Sequence, residues 1–442
     1  MRTPAPGAGG LGDNSAMAPH GSLCLCAMSD HSASIPDPHR MTPVERKASA
    51  SLASIYAVRM LGLFMVMPVF AIEARHYVGG DDASAVGLAL GLYGLVQALL
   101  QLPMGWAADR LGRKRVIVFG LILFGVGSLL GVWATSVHEL AWARALQGAG
   151  AISAAVSALL ADLTRDGVRT KAMALIGASI GLMFAVSLVL GPFLNSAGGL
   201  KLIFAVMTAL AVAGIAIVLW WTPPEPGVHA VAEVAPPGQL RQLLLSPELL
   251  RLNLGVFVLY AVQIATWVGL PFVLVQGGLP LSEHGWLYLP VVLMSFVVMG
   301  MTLFPLERKG HLKALFLSCI ALVMVVQLGL AHQSLGDISL PVMGVWLFVF
   351  FCGFNVLEAS QPSQASRLAH PAVRATVLGV YNTLQSLGIF AGGAMGGLLS
   401  KSIGVSGLFV LNAALMALWL LLAWGMRPIS VQKSQSGVSQ GD

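Results

Sequence analysis

Apolar stretches of about 20 residues, each long enough to cross a hydrocarbon layer of roughly 30 Å, recur from Ser51 almost to the end of this chain. No soluble core could hide them, because 57% of the 442 residues are hydrophobic and only 10% are charged, against roughly 25% charged in an ordinary soluble domain. The bilayer is therefore the solvent, and the fold class expected is an all-α integral membrane protein.

The spacing predicts spans near 51–74, 84–106, 116–136, 138–162, 172–195 and 201–221, and again near 250–275, 284–305, 313–332, 338–362, 374–400 and 404–426. Six spans, a polar Pro-containing connection and six more suggest an internal duplication into two pseudo-symmetric six-helix bundles. An echo survives in the residues: Asp109 follows Ser51 by 58 positions in the run GWAADRLGRKR, and Glu307 follows Leu250 by 57 in FPLERKGHLK. The domains expected are a disordered cytoplasmic tail over 1–47, bundles over 48–221 and 250–426, a cytoplasmic linker over 222–249, and a cytoplasmic tail over 427–442.

Charge sets the orientation. With the N-terminus in the cytoplasm, the tails and even-numbered connections hold 19 Lys and Arg (Arg2 excluded), whereas the odd-numbered connections hold Arg75, Lys201 and Lys401. The positive-inside rule then puts both termini in the cytoplasm. The same loop placement explains the formal charge of +6 without a nucleic-acid partner. Cys24, Cys26, Cys319 and Cys352 form no disulfide framework and no metal spacing. The short loops leave no room for a separate active site, and no His, Cys or carboxylate group has metal or triad spacing. The expected partners are the lipid bilayer and a small-molecule substrate, with no cofactor and no metal, and the expected state is a monomer.

The densest motif is Gly105-Trp-Ala-Ala-Asp109-Arg110-Leu-Gly112-Arg113-Lys114-Arg115, between spans two and three. Gly105 permits close helix contact, and Gly112 permits a turn that a Cβ would resist. Asp109 can accept from a helix N-terminus, and Arg113 can pair with Asp162 at the end of span four. Within a span, the charged centre of an arginine costs about 2.5–3.5 kcal/mol unless it faces a cavity or a partner. Arg59 on span one and Arg144 on span four are therefore candidate cavity charges, with a structural clamp as the plainer alternative. Glu358 on span ten, a partly buried carboxyl, has the property a proton carrier needs.

Polar positions at helical spacing could line a cavity or bond across helix interfaces: Tyr93, Gln97 and Gln101 on span two; Tyr260, Gln263 and Trp267 on span seven; Asn355 on span ten; Tyr381 and Gln385 on span eleven. Gly177, Gly181 and the pair Gly191-Pro192 on span five read as a helix-packing segment.

Gly105 to Lys114 matches GxxxDRxGRK at every defining position, and on this ground the chain resembles the major facilitator superfamily. Arg144-Ala-Leu-Gln147-Gly148 resembles its motif B. The span-five glycines match its antiporter motif C only in part, since Ser187 replaces one glycine and no glycine pair follows Pro192. Arg59 to Pro68, Ala161 to Met173, Asn355 to Ala359 and Leu378 to Tyr381 are similar to the YajR type of efflux transporter, over about residues 51–426. That type carries a soluble domain after span twelve, whereas this chain continues only about sixteen residues beyond Met426.

The resemblance implies a bacterial inner-membrane transporter of twelve spans, with spans one, four, seven and ten around a central cavity and Asp109 docked on the start of span eleven. It further implies proton-coupled efflux of hydrophobic or amphipathic compounds. Uptake of a small metabolite or an organic acid neutralised by Arg59 and Arg144 is the alternative, and a transport-inactive receptor or scaffold on the same fold is a second.

Overall fold

In the computed structural model, residues 41–225, 245–336, 338–368 and 374–426 are described. The tail over 1–40, most of the linker, and the C-terminal tail lie outside them. Twelve helices account for the described chain: α1 (Pro43–Glu73), α2 (Ala83–Leu111), α3 (Arg113–Trp133), α4 (Val137–Ala149), α5 (Ser153–Asp162), α6 (Asp166–Ala216), α7 (Pro247–Gln276), α8 (His284–Arg308), α9 (Leu312–Gln333), α10 (Leu340–Leu368), α11 (Arg374–Ser402) and α12 (Gly404–Trp424).

Local chemistry sets where several of them start. Thr42 and Glu45 form a reciprocal capping box at α1, as Ser136 and Glu139 do at α4. The Asp82 carboxylate accepts from the Ser84 N–H at the head of α2, and the Ser246 hydroxyl accepts from the Leu249 N–H at α7. Each cap satisfies N–H groups that the helix leaves unbonded.

Ten continuous helical segments among the described residues are long and apolar enough to cross a bilayer. One of them, Lys171–Trp221, has 51 residues, which at about 1.5 Å per residue is far too long for one crossing. It is two spans: Gly198 and Gly199 are non-helical, and Gly199 has φ 64°, a conformation that glycine adopts without a Cβ clash. The opposite adjustment occurs in the fourth span, where α4 stops at Ala149 and α5 starts anew at Ser153. With α11, whose glycines, threonines and serines dilute its hydropathy, the described residues make twelve crossings.

The pairing of these crossings repeats between the halves. In the first half, the α2 helix packs on α4, α3 on α4, and α3 on the second part of α6; in the second, α8 packs on α10, α9 on α10, and α9 on α12. Between halves, α2 meets α11 and α6 meets α8, two contacts that exchange under the same six-span shift. The fold class expected from the sequence is the one observed.

Candidate functional site

Two clusters of interior polar groups hold the in-span charges, one per half. In the first half, Arg59 on α1 donates through Nη2 to the Tyr93 hydroxyl at 3.0 Å and through Nη1 to the Ser153 hydroxyl at 3.5 Å. The Arg144 guanidinium on α4 lies 4.8 Å from the centre of the same Tyr93 ring, within range of a cation–π contact. Its Nη1 donates to Gln147 Oε1 at 2.9 Å, and Gln147 donates onward to the Ser128 hydroxyl at 2.9 Å. Arg59, Tyr93 and Arg144 are all buried. One tyrosine thus serves two guanidiniums, a grouping made possible where Gly148 of α4 lies against the Tyr93 backbone.

In the second half, the Tyr260 hydroxyl on α7 donates to Glu358 Oε1 on α10 at 2.6 Å, while Glu358 Oε2 has no hydrogen-bond partner. Tyr381 and Gln385 of α11 come up to Tyr260, and the Tyr381 hydroxyl is buried and unpartnered. Glu358 forms no ion pair among the described residues, and neither do Arg59 and Arg144. Arg59 and Glu358 do not bond to each other; each bonds within its own half. Every other described acid stands near a helix end or in a connection, so Glu358, in the C-terminal part of α10, is the one described acid set well inside a helix.

Other expected cavity residues are placed differently. Asn355 donates to the Ser295 hydroxyl on α8 at 2.8 Å, so it ties two helices together. Trp267 packs edge-on against Tyr288 at 5.3 Å and tilts against Phe351 at 6.4 Å, deep in an apolar core. Gln263 is buried on α7. Gln97 has a buried, unpartnered side-chain oxygen, and both amide atoms of Gln101 and of Gln361 are buried without partners.

At the loop end of α2, the Arg113 guanidinium pairs with Asp162 through Nη1, and Asp109 stands 3.8 Å from Arg113 Nη2. The expected docking of Asp109 on the start of α11 does not occur among the described residues; 69% of its side chain is exposed. Arg110 lies over the Trp106 ring at 4.1 Å. Gly105 faces Ala154 of α5. Gly112 turns with φ 98°, and Glu225, from beyond the sixth span, accepts from the Lys114 N–H at the head of α3. A carboxylate at that position completes the helix start. Replacing Gly112 by Ala forces a Cβ into glycine-only backbone space and towards Glu225. The expected cost is about 1–3 kcal/mol, read as a lowered melting temperature of the solubilised protein.

The exposed Asp109 has a structural counterpart at the other end of α2. There α2 and α11 touch backbone to backbone: a Cβ on Gly87 would sit 2.3 Å from the Gly393 carbonyl oxygen, one on Gly397 would sit 2.3 Å from that of Ala83, and one on Gly94 would sit 2.4 Å from that of Ser386. Towards the Asp109 end a Cβ on Gly379 would meet only the Leu102 side chain, at 3.6 Å. The helices converge at one mouth and stand further apart towards the Asp109 end. The sequence reading missed this seam, although Gly87-x-x-x-Gly91 and Gly393-x-x-x-Gly397 carry the small-residue spacing that marks close helix contact.

Lys401 Nζ sits 3.1 Å from Asp82 Oδ1 across the shut mouth. That ammonium, followed by the Ser84 N–H, holds the Asp82 carboxyl below its ordinary range. A depressed acid contributes its stabilisation above its unperturbed pKa and loses it only as pH falls through the lower bound value. The bridge should therefore be constant between about pH 5 and 8. Because both groups are exposed and screened, Asp82→Asn, which keeps the helix cap, is expected to change probe access at this mouth by less than about two-fold. Cysteine labelling near Lys401 checks this.

Of the span-five glycines, Gly191 lies against the Met65 carbonyl of α1 and Gly181 against Phe296 of α8, but a Cβ on Gly177 would meet nothing within 4 Å. Gly177 is thus no packing contact, and Pro192 sits inside α6. Tyr56 and Ser153, which the sequence did not single out, join the first cluster: the Tyr56 hydroxyl donates to the Ser153 carbonyl at 2.9 Å.

Residues 52–393 match the family model of the Major Facilitator Superfamily. The chain is 39% identical over 391 residues to the inner membrane transport protein YajR of Escherichia coli K12, covering 88% of this chain and 85% of that one. It is 26% identical over 353 residues to the multidrug resistance protein MdtH of Aeromonas hydrophila, covering 77% and 84%. Its fold superposes on the crystal structure of a D-xylose-proton symporter with a TM-score of 0.70 at 14% identity, over 86% of this chain and 98% of that one.

Proposed function

The chain belongs to the major facilitator superfamily of membrane transporters, and from that premise we propose that it exports hydrophobic or amphipathic small molecules in exchange for protons, by alternating access. The observation that carries the proton part is Glu358, a carboxyl inside α10 with one oxygen bonded to Tyr260, the other unpartnered, and no cation in salt-bridge range among the described residues. Such a group can take up and give back a proton as its surroundings change. Likeness to a multidrug resistance protein supports export, and likeness to an inner membrane transport protein supports a bacterial inner-membrane location. The loop charges favour both termini in the cytoplasm.

With that orientation the α2–α11 seam closes the periplasmic mouth, and the exposed Asp109 lies at the cytoplasmic one. The conformation fits the inward-facing half of the cycle. Asp109, Arg113 and Asp162 would then fasten the cytoplasmic mouth in the other half, once Asp109 reaches a helix start. The protein is proposed to work as a monomer, since substrate and protons can both be handled within one pair of bundles.

The test begins with growth of deletion and overexpression strains across toxic compounds, which nominates a substrate. Inverted membrane vesicles then decide direction: an exporter accumulates that substrate when the lumen is acidified. Absence of accumulation in vesicles containing folded protein defeats the reading. Uptake of an organic acid is the second reading, favoured by Arg59 and Arg144, and in the same vesicles it predicts no uphill accumulation under that gradient.

A further inference from the structure

The fourth span is discontinuous. Its second piece, α5, begins at Ser153 in the middle of the bundle, and its first helical bond runs from the Val156 N–H to the Ile152 carbonyl. The N–H groups of Ser153, Ala154 and Ala155 precede that bond, and no side chain caps them. A helix start with free N–H groups carries partial positive charge. Arg59 reaches the first residue of that start, at 3.5 Å from the Ser153 hydroxyl.

Three sources of positive charge therefore meet around one tyrosine: the Arg59 and Arg144 guanidiniums and the α5 N-terminus. Both arginines are almost wholly buried, at 1% and 0% exposure. The Nε–H of each is buried without a partner, and neither has a carboxylate in salt-bridge range among the described residues. The interior acid, Glu358, is engaged by Tyr260 in the other half. A desolvated cation without an anion is unfavourable, and two beside a helix N-terminus more so. Discontinuous transmembrane helices of transporters meet that cost when their N-termini face the anionic group of a substrate.

We infer that Arg59, Arg144 and the N-terminus of α5 form an anion receptor, and that the amphipathic compound handled by this protein carries a carboxylate, sulfonate or phosphate group. The inference rests on the transporter reading for its role but not for its chemistry. The planar guanidinium forks suit a two-oxygen anion, and Tyr93 supplies a ring against which the apolar part can lie. Gln147, held by Ser128, orients Arg144 for that group.

The test is thermal stabilisation of the purified full chain in phosphatidylcholine nanodiscs by benzoate, naphthalene-2-sulfonate and phenyl phosphate, set against tetraphenylphosphonium. At least one of the three anions is expected to raise the melting temperature saturably. Its apparent Kd should rise about ten-fold or more in Arg59→Gln and Arg144→Gln, and less in Arg144→Lys, which keeps the charge and loses the fork. No shift with any of the three anions, or an equal shift in the doubly substituted protein, overturns the assignment.

Stabilisation by tetraphenylphosphonium alone removes the anion receptor while the transporter reading stands, since that depends on flux in vesicles. A shift that phosphatidylglycerol discs abolish identifies a lipid headgroup as the occupant and overturns the assignment to substrate.

Discussion

Glu358→Gln is expected to abolish uphill, proton-driven accumulation while leaving substrate exchange at equilibrium intact. The glutamine fills nearly the same volume and can still accept from the Tyr260 hydroxyl, which now lies 2.6 Å from Oε1, so the helix contact survives. What it removes is the ability to change protonation. In the described interior no second acid can substitute, because every other carboxyl stands near a helix end or in a connection. Loss of a coupling free energy of ordinary size lowers the steady-state accumulation ratio by about 5- to 150-fold, enough to bring it to equilibrium. The pair of measurements matters. Full coupling in the glutamine protein would remove Glu358 from the mechanism, whereas loss of exchange as well would mean a structural defect.

Closing the α2–α11 seam with side chains should have the second large effect. Gly397→Val would place a Cβ 2.3 Å from the Ala83 carbonyl oxygen and within 3.0 Å of Gly87 backbone atoms, and the partner Gly87→Leu would drive into Gly393 and Gly397. The obstructing atoms are backbone, so no rotamer change relieves them; the helices must separate. Overpacking of this kind costs about 1–3 kcal/mol or more, which shifts a two-state equilibrium roughly 5- to 150-fold towards the conformation in which this mouth is open. The bundle should still fold, because in that conformation the two surfaces are already apart. The expected readout is increased labelling of cysteines placed near Asp82 and Lys401, with a matching loss of transport. Labelling unchanged from wild type would show that the seam does not gate. The comparison with Asp82→Asn is informative, since a screened surface ion pair should move the same readout far less than a backbone clash.

Much of the gate was legible beforehand. Asp109, Gly112, Arg113 and Asp162 stand close enough in the chain, or on helix ends set by short loops, that their partners followed from helix geometry. Arg113 does meet Asp162. Asp109 meets no helix start among the described residues, which leave out 369–373 ahead of α11; a loop motif can serve two conformations, and its residues do not say which one is populated. That depends on which mouth the paired bundles close. Here it is glycine against glycine on α2 and α11 that brings one mouth together.

The two clusters were legible only as a set of candidates. Arg59, Arg144 and Glu358 stood out because a charge within a span is costly, but nothing local divides them between halves. Asn355 and Glu358 lie one helical turn apart on α10, yet one bonds Ser295 of α8 and the other Tyr260 of α7. Trp267, seven positions beyond Tyr260, is taken into an apolar core.

Twelve crossings, their two-fold repetition and the residues unfit for lipid were all written in the order of the amino acids, because crossing a hydrocarbon layer imposes a length and an apolar composition on every segment. Which face of each helix looks onto a neighbour, onto lipid or onto the polar interior was decided by the packed bundle alone. In water a polar stripe marks the outside of a helix; in a bilayer lipid and neighbouring helices are equally apolar, so the contrast that would assign the faces is missing until the helices are in place.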